Sequence, residues 1–324
     1  MADREFELIE RFFQQSTISR SDVLLGIGDD AALLRVPEGR ALVVAVDTLI
    51  DGVHFPHNTP AADIAYKALA VNLSDLAAMG ATPAWATLAL TLPDYNEAWL
   101  TEFSRGFFEL GELFDVALIG GDTTRGHLSL SVQLQGFVEA ASALKRSGAQ
   151  PGDLIYVSGT LGDAGLGLLC HQGKVHASAQ DRAYLVERLN KPQPRVELGQ
   201  KLIGIASAAI DVSDGLVADL SHVLKASNVG AVLSFDEIPY SPAFQKVYQG
   251  GSQYVATDFA LSSGDDYELC FTVPRKHQRQ IKKLAKALNL PLTQIGEISE
   301  ELGLRVMDKN GTQRNLTQQG YQHF

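Results

Sequence analysis

The sequence predicts an α/β protein of two domains. At 324 residues the chain is longer than one hydrophobic core usually supports. Apolar runs of strand length alternate with segments of helical periodicity in both halves, which favours layers of strands and helices. A turn-rich stretch at residues 147–153 (SGAQPGD) separates the halves. We therefore expect domains at residues 1–146 and 147–324.

The residue patterns of the first half predict three helices and four strands. Residues 3–13 have helical spacing, with Phe6, Ile9, Phe12 and Phe13 on one side. The continuous apolar run at 41–46 favours a buried strand. Residues 128–138 alternate over much of their length, as in a strand with one wetter face. The remaining elements are helices at 61–79 and 97–113 and strands at 84–92 and 116–119, the last leading into a Gly-Gly-Asp turn.

The second half begins with an apolar strand at 154–157 and continues with alternating elements. Proline residues at 192, 194 and 239 mark connections, because proline interrupts helices and strands. The expected helices lie near 163–171, 181–189, 195–206, 214–226 and 275–288, and the expected strands near 231–235, 267–273 and 293–298.

Composition excludes several classes of protein. The net charge is -11 without a Lys/Arg run, so we expect no nucleic-acid partner. No apolar run approaches the ~18 residues of a membrane helix, and the charged N-terminus lacks the apolar core of a signal peptide. Cys170 and Cys270 each lie in an apolar segment, where buried free thiols are expected. These features predict a cytoplasmic protein with no membrane association.

Five short aspartate clusters carry the functional hypothesis. A single aspartate beside glycine is an ordinary turn residue, but five clusters suggest carboxylates gathered in one pocket, where only cations would offset their repulsion. Mg²⁺ takes such oxygen ligands, usually together with substrate phosphates. The sequence therefore predicts a magnesium-dependent enzyme that acts on phosphorylated substrates. The clusters are Gly28-Asp29-Asp30-Ala31-Ala32, Val46-Asp47-Thr48, Asn72-Leu73-Ser74-Asp75, Gly120-Gly121-Asp122-Thr123 and Asp211-Val212-Ser213-Asp214-Gly215.

Spacing places two of these clusters on helices. Asn72 and Asp75 lie three residues apart on the expected helix 61–79 and so share a face. Asp211 and Asp214 flank an expected helix start, where Ser213 is a suitable N-cap.

The familiar sequence motifs of other nucleotide-binding and metal sites do not match this chain. The Gly26–Ala31 segment imitates a dinucleotide fingerprint, but two carboxylates directly after its second glycine would repel a pyrophosphate. The Gly167–Lys174 segment has the wrong spacing for a P-loop. Protein-kinase and zinc motifs are absent from the sequence. Phosphoryl transfer organised by metal ions remains, since it needs alignment and charge neutralisation.

Taken in order, the clusters resemble those of the thiamine-monophosphate kinases. These belong to the superfamily of aminoimidazole ribonucleotide synthetase and selenophosphate synthetase. The resemblance covers essentially the whole chain and is specific in its order and combination. Further segments that carry it are Asp47-Thr48-Leu49 through Gly52-Val53-His54-Phe55, Lys145-Arg146-Ser147-Gly148-Ala149, Pro192-Gln193-Pro194-Arg195 and Gly264-Asp265-Asp266-Tyr267-Glu268-Leu269.

The resemblance implies an activity and a set of site residues. It implies transfer of the ATP γ-phosphoryl group to thiamine monophosphate, the last step of thiamine diphosphate biosynthesis, with several Mg²⁺ ions and with ATP as co-substrate. It implies no general base, since the acceptor phosphate is itself ionised. By position, the implied metal ligands are Asp30, Asp47, Asp75, Asp122, Asp211 and Asp214. The implied ATP contacts are Gly121, Asp122, Arg146 and Ser213, and the implied substrate contacts are His54, Asp265 and Tyr321.

Three positions depart from the family pattern. Val46 stands where many members carry a hydroxyl residue, so no side-chain ligand exists there. Asp265 replaces a glutamate and is shorter by one methylene, which favours a water-mediated contact. The aromatic residue expected near the C-terminus is Tyr321 or Phe324, and we favour Tyr321 because it follows Gly320. An aromatic face beside a carboxylate would suit the cationic thiazolium ring.

The resemblance also implies an assembly and leaves alternatives. It implies a homodimer in which N-terminal domains of the aminoimidazole ribonucleotide synthetase type form a shared barrel, and a C-terminal α/β domain with a mixed sheet. An ATP-dependent cyclase of the aminoimidazole ribonucleotide synthetase type is the runner-up, and a non-catalytic magnesium-nucleotide sensor is a third reading. The selenophosphate branch needs a reactive N-terminal cysteine, whereas the first cysteine here is Cys170; the hydrogenase-maturation branch ends in a cysteine, whereas this chain ends at Phe324.

Overall fold

A computed structural model describes residues 8–14, 20–250, 259–314 and 320–321 of the chain. Contacts within the chain divide it into two compact units. The first comprises Met1–Leu76 and Ala81–Ala141, and the second comprises Ala77–Gly80 and Ser142–Phe324. Both contain strands interleaved with helices, which confirms the α/β class.

The first unit is built on a mixed four-stranded sheet. Its strands are β3 (Ala41–Ile50), β4 (Thr82–Leu92), β5 (Ala117–Arg125) and β6 (Ser129–Val138), in the spatial order β3-β6-β4-β5. Strand β6 pairs antiparallel with β3 and β4, whereas β4 and β5 are parallel. Two short strands, β1 (Val23–Leu25) and β2 (Leu33–Leu34), form a separate antiparallel ribbon.

Two long helices contribute to the apolar core of this unit together with the sheet. Helix α1 (Ala61–Ala78) is buried along most of its length. Helix α2 (Glu97–Leu113) starts at Asn96, whose side chain accepts a hydrogen bond from the Trp99 amide at 3.1 Å. Because apolar residues recur every three or four positions on α2, Leu100, Phe103, Phe107 and Leu110 share its buried face.

The second unit contains a mixed six-stranded sheet in the order β12-β9-β11-β7-β10-β8. All neighbours are antiparallel except β12 and β9. The strands are β7 (Leu154–Ser158), β8 (Ala208–Asp211), β9 (Gly230–Ser234), β10 (Leu269–Val273), β11 (Leu292–Ser299) and β12 (Gly303–Met307). The helices are α3 (Asp163–His171), α4 (Ala179–Asn190), α5 (Val196–Leu202), α6 (Leu216–Ser227), α7 (Pro242–Gln249), α8 (Phe259–Ser262) and α9 (Gln278–Ala287).

Most of the expected elements are confirmed, and α2 has the predicted bounds. Residues 8–12 are helical, and the rest of the expected first helix, residues 3–7, lies outside the described part of the chain. Both cysteines are buried and free. The sequence missed β1, β2, β8 and β12, as well as α7 and α8. Helix α5 is shorter than expected and ends before Gly204, which has φ +75°.

Two expectations in the first unit were wrong. Strand β3 is not buried on both faces: Leu42, Val44 and Val46 are exposed, since alternate side chains point away from the core and this face of the sheet is open, with Gln133 of β6 exposed on it as well. The Gly120-Gly121-Asp122 segment is not a turn but part of β5, because its residues pair in register with β4. Among the described residues, no helix has the length and apolar character needed to cross a membrane.

Candidate active site

Two of the aspartates meet in the first unit. Asp47 lies on β3 and Asp75 on α1, and their side chains are within hydrogen-bonding reach of each other. Burial raises the pKa of Asp47, and the hydrogen bond with Asp75 opposes this effect. Two carboxyl groups in such contact share a proton unless a cation lies between them, so this pair is suited to a divalent ion.

A buried oxygen lies on the same helix as Asp75. Asn72 is fully buried, and its Nδ2 donates to the Ala68 carbonyl at 3.0 Å. No donor within the described ranges reaches its Oδ1. A buried acceptor without a donor is unfavourable, so Asn72 Oδ1 is an unsatisfied group that a bound water would relieve.

A second pair of aspartates lines a cavity of about 660 Å³ in the first unit. Asp30 comes from the loop between β1 and β2, and Asp122 comes from β5, where Gly120 and Gly121 also line the wall. Both carboxylates are exposed to the cavity or solvent. The backbone amide of Asp30 donates to the Asp29 carboxylate at 2.8 Å, which orders the loop. The cavity therefore offers carboxylate oxygens next to glycine backbone.

Sheet register separates the two pairs. Thr48, Ser131, Ala89 and Asp122 are consecutive partners across the four strands. Directly paired residues point to the same face of a sheet, and neighbours along a strand point to opposite faces. Asp47, which precedes Thr48, therefore projects from the face opposite to Asp122. Sequence alone gave no indication of this division.

His54 belongs to a tight loop after β3. Its Nδ1 accepts a hydrogen bond from the Ile50 amide at 3.0 Å, so the neutral ring carries its proton on Nε2. The buried Lys67 of α1 donates to the His54 carbonyl at 3.1 Å. Backbone and side chain of His54 are thus both held from within the first unit.

In the second unit, a carboxylate that the sequence analysis missed anchors the Asp211–Asp214 segment. Asp219 Oδ2 accepts hydrogen bonds from the amides of Ser213, Asp214 and Gly215 at 3.0, 3.0 and 3.1 Å. The prediction that Ser213 caps the following helix was wrong, because the N-cap residue of α6 is Gly215. The amides before the helix are instead bound by Asp219, which lies in its first turn. Burial, followed by the charges of Asp211 and Asp214, raises the pKa of Asp219 to about 7.

Backbone hydrogen bonds bring two of the three expected substrate residues, Asp265 and Tyr321, to the same segment. The Asp265 amide donates to the Ser213 carbonyl at 2.8 Å, and the Tyr321 amide donates to the Asp214 carbonyl at 3.0 Å. Asp265, Ser213, Asp214 and Tyr321 therefore form one cluster, although they are far apart in the sequence. Phe324, the alternative aromatic residue, lies outside the described residues.

Arg146 lies on a segment that runs beside β8. The preceding Lys145 carbonyl accepts a hydrogen bond from the Ala209 amide at 2.9 Å, and the Arg146 carbonyl accepts one from Ser227 Oγ at 3.2 Å. Asp211 ends the same strand, so this arginine and the aspartate segment are carried by neighbouring backbone.

The second unit also contains a buried ionic network that sequence reasoning did not assign. Glu268 lies between Arg188 and Arg195, and Asp266 accepts a hydrogen bond from the Gly162 amide at 2.7 Å. Burial raises the pKa of Asp266 well above that of an ordinary carboxyl, and the Gly162 bond opposes this only partly. The signal in the sequence was the placement of Asp266 and Glu268 directly before the apolar run at 269–273.

The donor chemistry is suited to magnesium. In the part of the chain that is described, no three carboxylate, histidine or cysteine side chains gather as a ready metal cage. Mg²⁺ at phosphoryl-transfer sites usually takes one or two carboxylates and completes its shell with water and substrate phosphates. Pairs of aspartates, rather than a full cage, agree with that requirement.

Two domains of one family match the chain. The N-terminal domain of the AIR synthase related proteins matches residues 28–138, and the C-terminal domain of these proteins matches residues 150–309. A thiamine-monophosphate kinase of Escherichia coli K12 is 49% identical, covering 100% of this chain and 99% of its own length. One of Bacillus subtilis is 37% identical, with 99% of both chains covered.

Solved structures agree with this result. A thiamine-monophosphate kinase from Stenotrophomonas maltophilia superposes with a TM-score of 0.86 at 52% identity, covering 93% of this chain and 96% of its own. A structure described as AaThiL complexed with AMPPCP and TMP superposes with a TM-score of 0.79 at 29% identity, covering 100% of this chain and 98% of its own.

Proposed function

This chain belongs to the thiamine-monophosphate kinases of the AIR synthase related family, and we propose how its residues serve that reaction. It is a kinase that phosphorylates thiamine monophosphate with ATP and yields thiamine diphosphate. The observation that carries the assignment to particular residues is the cluster in the second unit, where backbone bonds gather Ser213, Asp214, Asp265 and Tyr321.

We propose a direct in-line transfer. An oxygen of the acceptor phosphate forms a bond to the γ-phosphorus of ATP while the bond to the β–γ bridging oxygen breaks, and ADP leaves with that oxygen. The acceptor phosphate has a second pKa near 6 and is mostly a dianion at neutral pH, so no general base is needed. The main obstacle is the approach of two polyanions.

The aspartates would bind the cations that reduce the repulsion between the two polyanions. Asp30, Asp47, Asp75, Asp122, Asp211 and Asp214 are the proposed Mg²⁺ ligands. Bound magnesium would neutralise phosphate charge and align the two phosphates. The contact between Asp47 and Asp75 supports this role, because it brings two carboxyl groups together at a partly buried position, where a divalent cation would offset their repulsion. Asp219 accepts a hydrogen bond from the Asp214 amide and so fixes the backbone that carries this proposed ligand.

Nucleotide contacts are proposed for Gly121, Asp122, Arg146 and Ser213. The cavity beside β5 supports the first two, because its wall combines glycine backbone with a carboxylate. Arg146 would add a permanent positive charge with forked donors for phosphate oxygens. Ser213 is held beside Asp214 by Asp219 and offers its hydroxyl at the same segment.

Substrate contacts are proposed for His54, Asp265 and Tyr321. The neutral His54 ring would donate from Nε2, since Nδ1 already accepts from Ile50. The backbone amides of Asp265 and Tyr321 are bonded to neighbouring carbonyls of one segment, so both residues start from the same place, and an aromatic ring together with a carboxylate would suit the cationic thiazolium ring.

We further propose that the first domain, residues 1–146, binds ATP and magnesium and forms a homodimer, with residues 147–324 as the second domain. Support comes from the edge strand β3, where Leu42, Val44 and Val46 are 45%, 52% and 61% exposed. An exposed apolar row on one face of a sheet favours burial against another protein surface, here a second copy of this chain. The buried, free cysteines agree with a cytoplasmic location.

The dimer is tested by mass in solution. We expect light scattering to give twice the chain mass for the wild type and a monomer for Val44→Glu. Leu113→Glu, at an exposed apolar residue at the end of α2, is the matched control and should remain dimeric. A monomeric wild-type protein would contradict the dimer.

The activity is tested with a panel of phosphate acceptors. We expect ADP and thiamine diphosphate to form from ATP and thiamine monophosphate in equal amounts, and turnover to stop with a chelator and return with added Mg²⁺. Folded protein that releases no ADP with thiamine monophosphate would refute the assignment. Turnover that persists in excess chelator would refute the role of magnesium and leave the kinase assignment standing.

A further inference from the structure

Residues 264–268 alternate between the interior of the second unit and its surface. Asp266 and Glu268 are each 1% exposed, whereas Asp265 and Tyr267 are half-exposed. Asp265 has φ +68° and Tyr267 has φ +50°, conformations that residues other than glycine rarely adopt. Such backbone persists only where surrounding contacts determine it. We call residues 264–268 the acidic turn.

The interior side of the acidic turn is held by charge. Arg195 binds Glu268 through two parallel hydrogen bonds, Nε to Oε2 and Nη2 to Oε1, both 2.6 Å long. Arg188 Nη2 donates to Glu268 Oε1 at 2.9 Å and lies 3.4 Å from the Asp266 carbonyl. Ser158 Oγ donates to Glu268 Oε2 at 2.6 Å.

Neighbouring backbone leaves the Glu268 carboxylate little freedom to move. A Cβ atom at Gly159 would lie 2.2 Å from Glu268 Oε1, so the carboxylate is packed directly against the glycine. Burial of so many charged groups is expensive unless each is paired, and a paired arrangement has few alternatives. The side chain of Glu268 therefore has a defined position.

The outward side of the acidic turn meets the candidate active site. The amides of Asp265 and Tyr267 donate to the carbonyls of Ser213 and Val212, both at 2.8 Å. A shift of the buried side chains of the turn would therefore change where the Asp265 carboxylate lies relative to Ser213.

From this geometry we infer that Glu268, clamped by Arg195 and Arg188, is a positioning residue that sets Asp265 for recognition of the phosphate acceptor. The inference rests on the proposed function, because it assigns Asp265 to the acceptor side. Glu268 itself does not touch the substrate. Arg195 contributes more than Arg188, because its two hydrogen bonds fix both the distance and the plane of the carboxylate.

The test is the split between the two Michaelis constants. Arg195→Lys keeps the charge but loses the forked geometry. We expect it to raise KM for thiamine monophosphate by about tenfold, with KM for ATP changed by less than about twofold, which corresponds to weaker binding on one side only. Glu268→Gln, which keeps the shape of the side chain, should act in the same way and serves if the lysine variant folds poorly.

Two comparisons distinguish positioning from a general loss of stability. Arg275→Lys, in the exposed pair with Glu297, is the matched control and should leave both constants unchanged. In the double variant Arg195→Lys/Asp265→Asn, KM for thiamine monophosphate should be no higher than in Asp265→Asn alone, because the two changes act through one group. Additive effects, or an unchanged KM in folded Arg195→Lys, would overturn the inference.

The results that would refute the proposed function differ from those that would refute the positioning role of Glu268. If the wild-type protein forms no thiamine diphosphate, the activity assignment fails, and amide hydrogen exchange of the ligand-free protein decides the positioning alone. The amides of Asp265 and Tyr267 should then exchange faster in Arg195→Lys than in the wild type. Equal exchange in the two proteins would overturn the clamp itself.

Discussion

The Gly120–Gly121 pair allows a sharp test of the site wall. Both glycines lie on β5 and line the same cavity, but their surroundings differ. A Cβ atom at Gly121 would lie 1.9 Å from the carbonyl oxygen of Leu88, its partner on β4. At Gly120 a Cβ atom would meet nothing within 4 Å. Alanine should therefore disturb folding at one position and not at the other.

The expected size of the effect follows from the contact. Moving the Leu88 oxygen from 1.9 Å to an ordinary 3.4 Å requires a displacement of about 1.5 Å between paired strands. Overpacking of this kind costs about 1–3 kcal/mol, and each sheet hydrogen bond that breaks costs about 1 kcal/mol more. We expect Gly121→Ala to lower the free energy of unfolding by about 3 kcal/mol. Gly120→Ala should change it by less than about 1 kcal/mol.

The assay is urea unfolding followed by tryptophan fluorescence. Both tryptophans, Trp85 and Trp99, lie in the first unit, so their emission reports on the unit that contains β5. With an m-value of about 3 kcal/mol/M, the midpoint of Gly121→Ala should fall by roughly 1 M. Equal midpoints for Gly121→Ala and the wild type would refute the steric argument. If ATP phosphates approach this wall, Gly120→Ala should fold normally and bind ATP more weakly.

Three further predictions concern single side chains. Asp122→Asn should abolish turnover and change the free energy of unfolding by no more than about 1–2 kcal/mol, because the carboxylate is exposed; loss of folding would mark Asp122 as structural. Burial raises the pKa of Asp266, so its stabilising contribution is complete below the unfolded pKa of about 4 and is lost as pH rises through the folded value. Asp266→Asn should therefore gain stability relative to the wild type between pH 5 and pH 8 in urea unfolding, and a constant difference would contradict this. Burial raises the pKa of the Cys270 thiol to about 12 and also raises that of Cys170, so neither should react with Ellman's reagent at pH 8 until the protein unfolds. Rapid labelling of the folded protein would be the contrary result.

Local patterns were sufficient for most helices and for the central strands. The α2 sequence contains its own cap at Asn96 and a regular apolar face, and the predicted bounds were confirmed. Where an element depends on a distant partner, the prediction failed. Strand β12 pairs with β9 and was missed, because its short sequence gives little signal without that neighbour.

The candidate site shows the same division. The aspartate clusters could be identified from residue type and order. Their distribution could not, because the opposite directions of Asp47 and Asp122 depend on sheet register. Asp219 was missed as well, since its role is defined by three amides that approach it only when α6 has formed.

The amino-acid sequence by itself determined the α/β class, the most regular helices and the family of the protein, because periodicity, capping residues and ordered motifs are local properties of the chain. Tertiary structure alone decided which carboxylates meet, which face of each sheet they occupy and which buried ions hold the acidic turn. Pairing between strands and burial of charge depend on residues that are distant in sequence, and their energies arise only when the chain has folded.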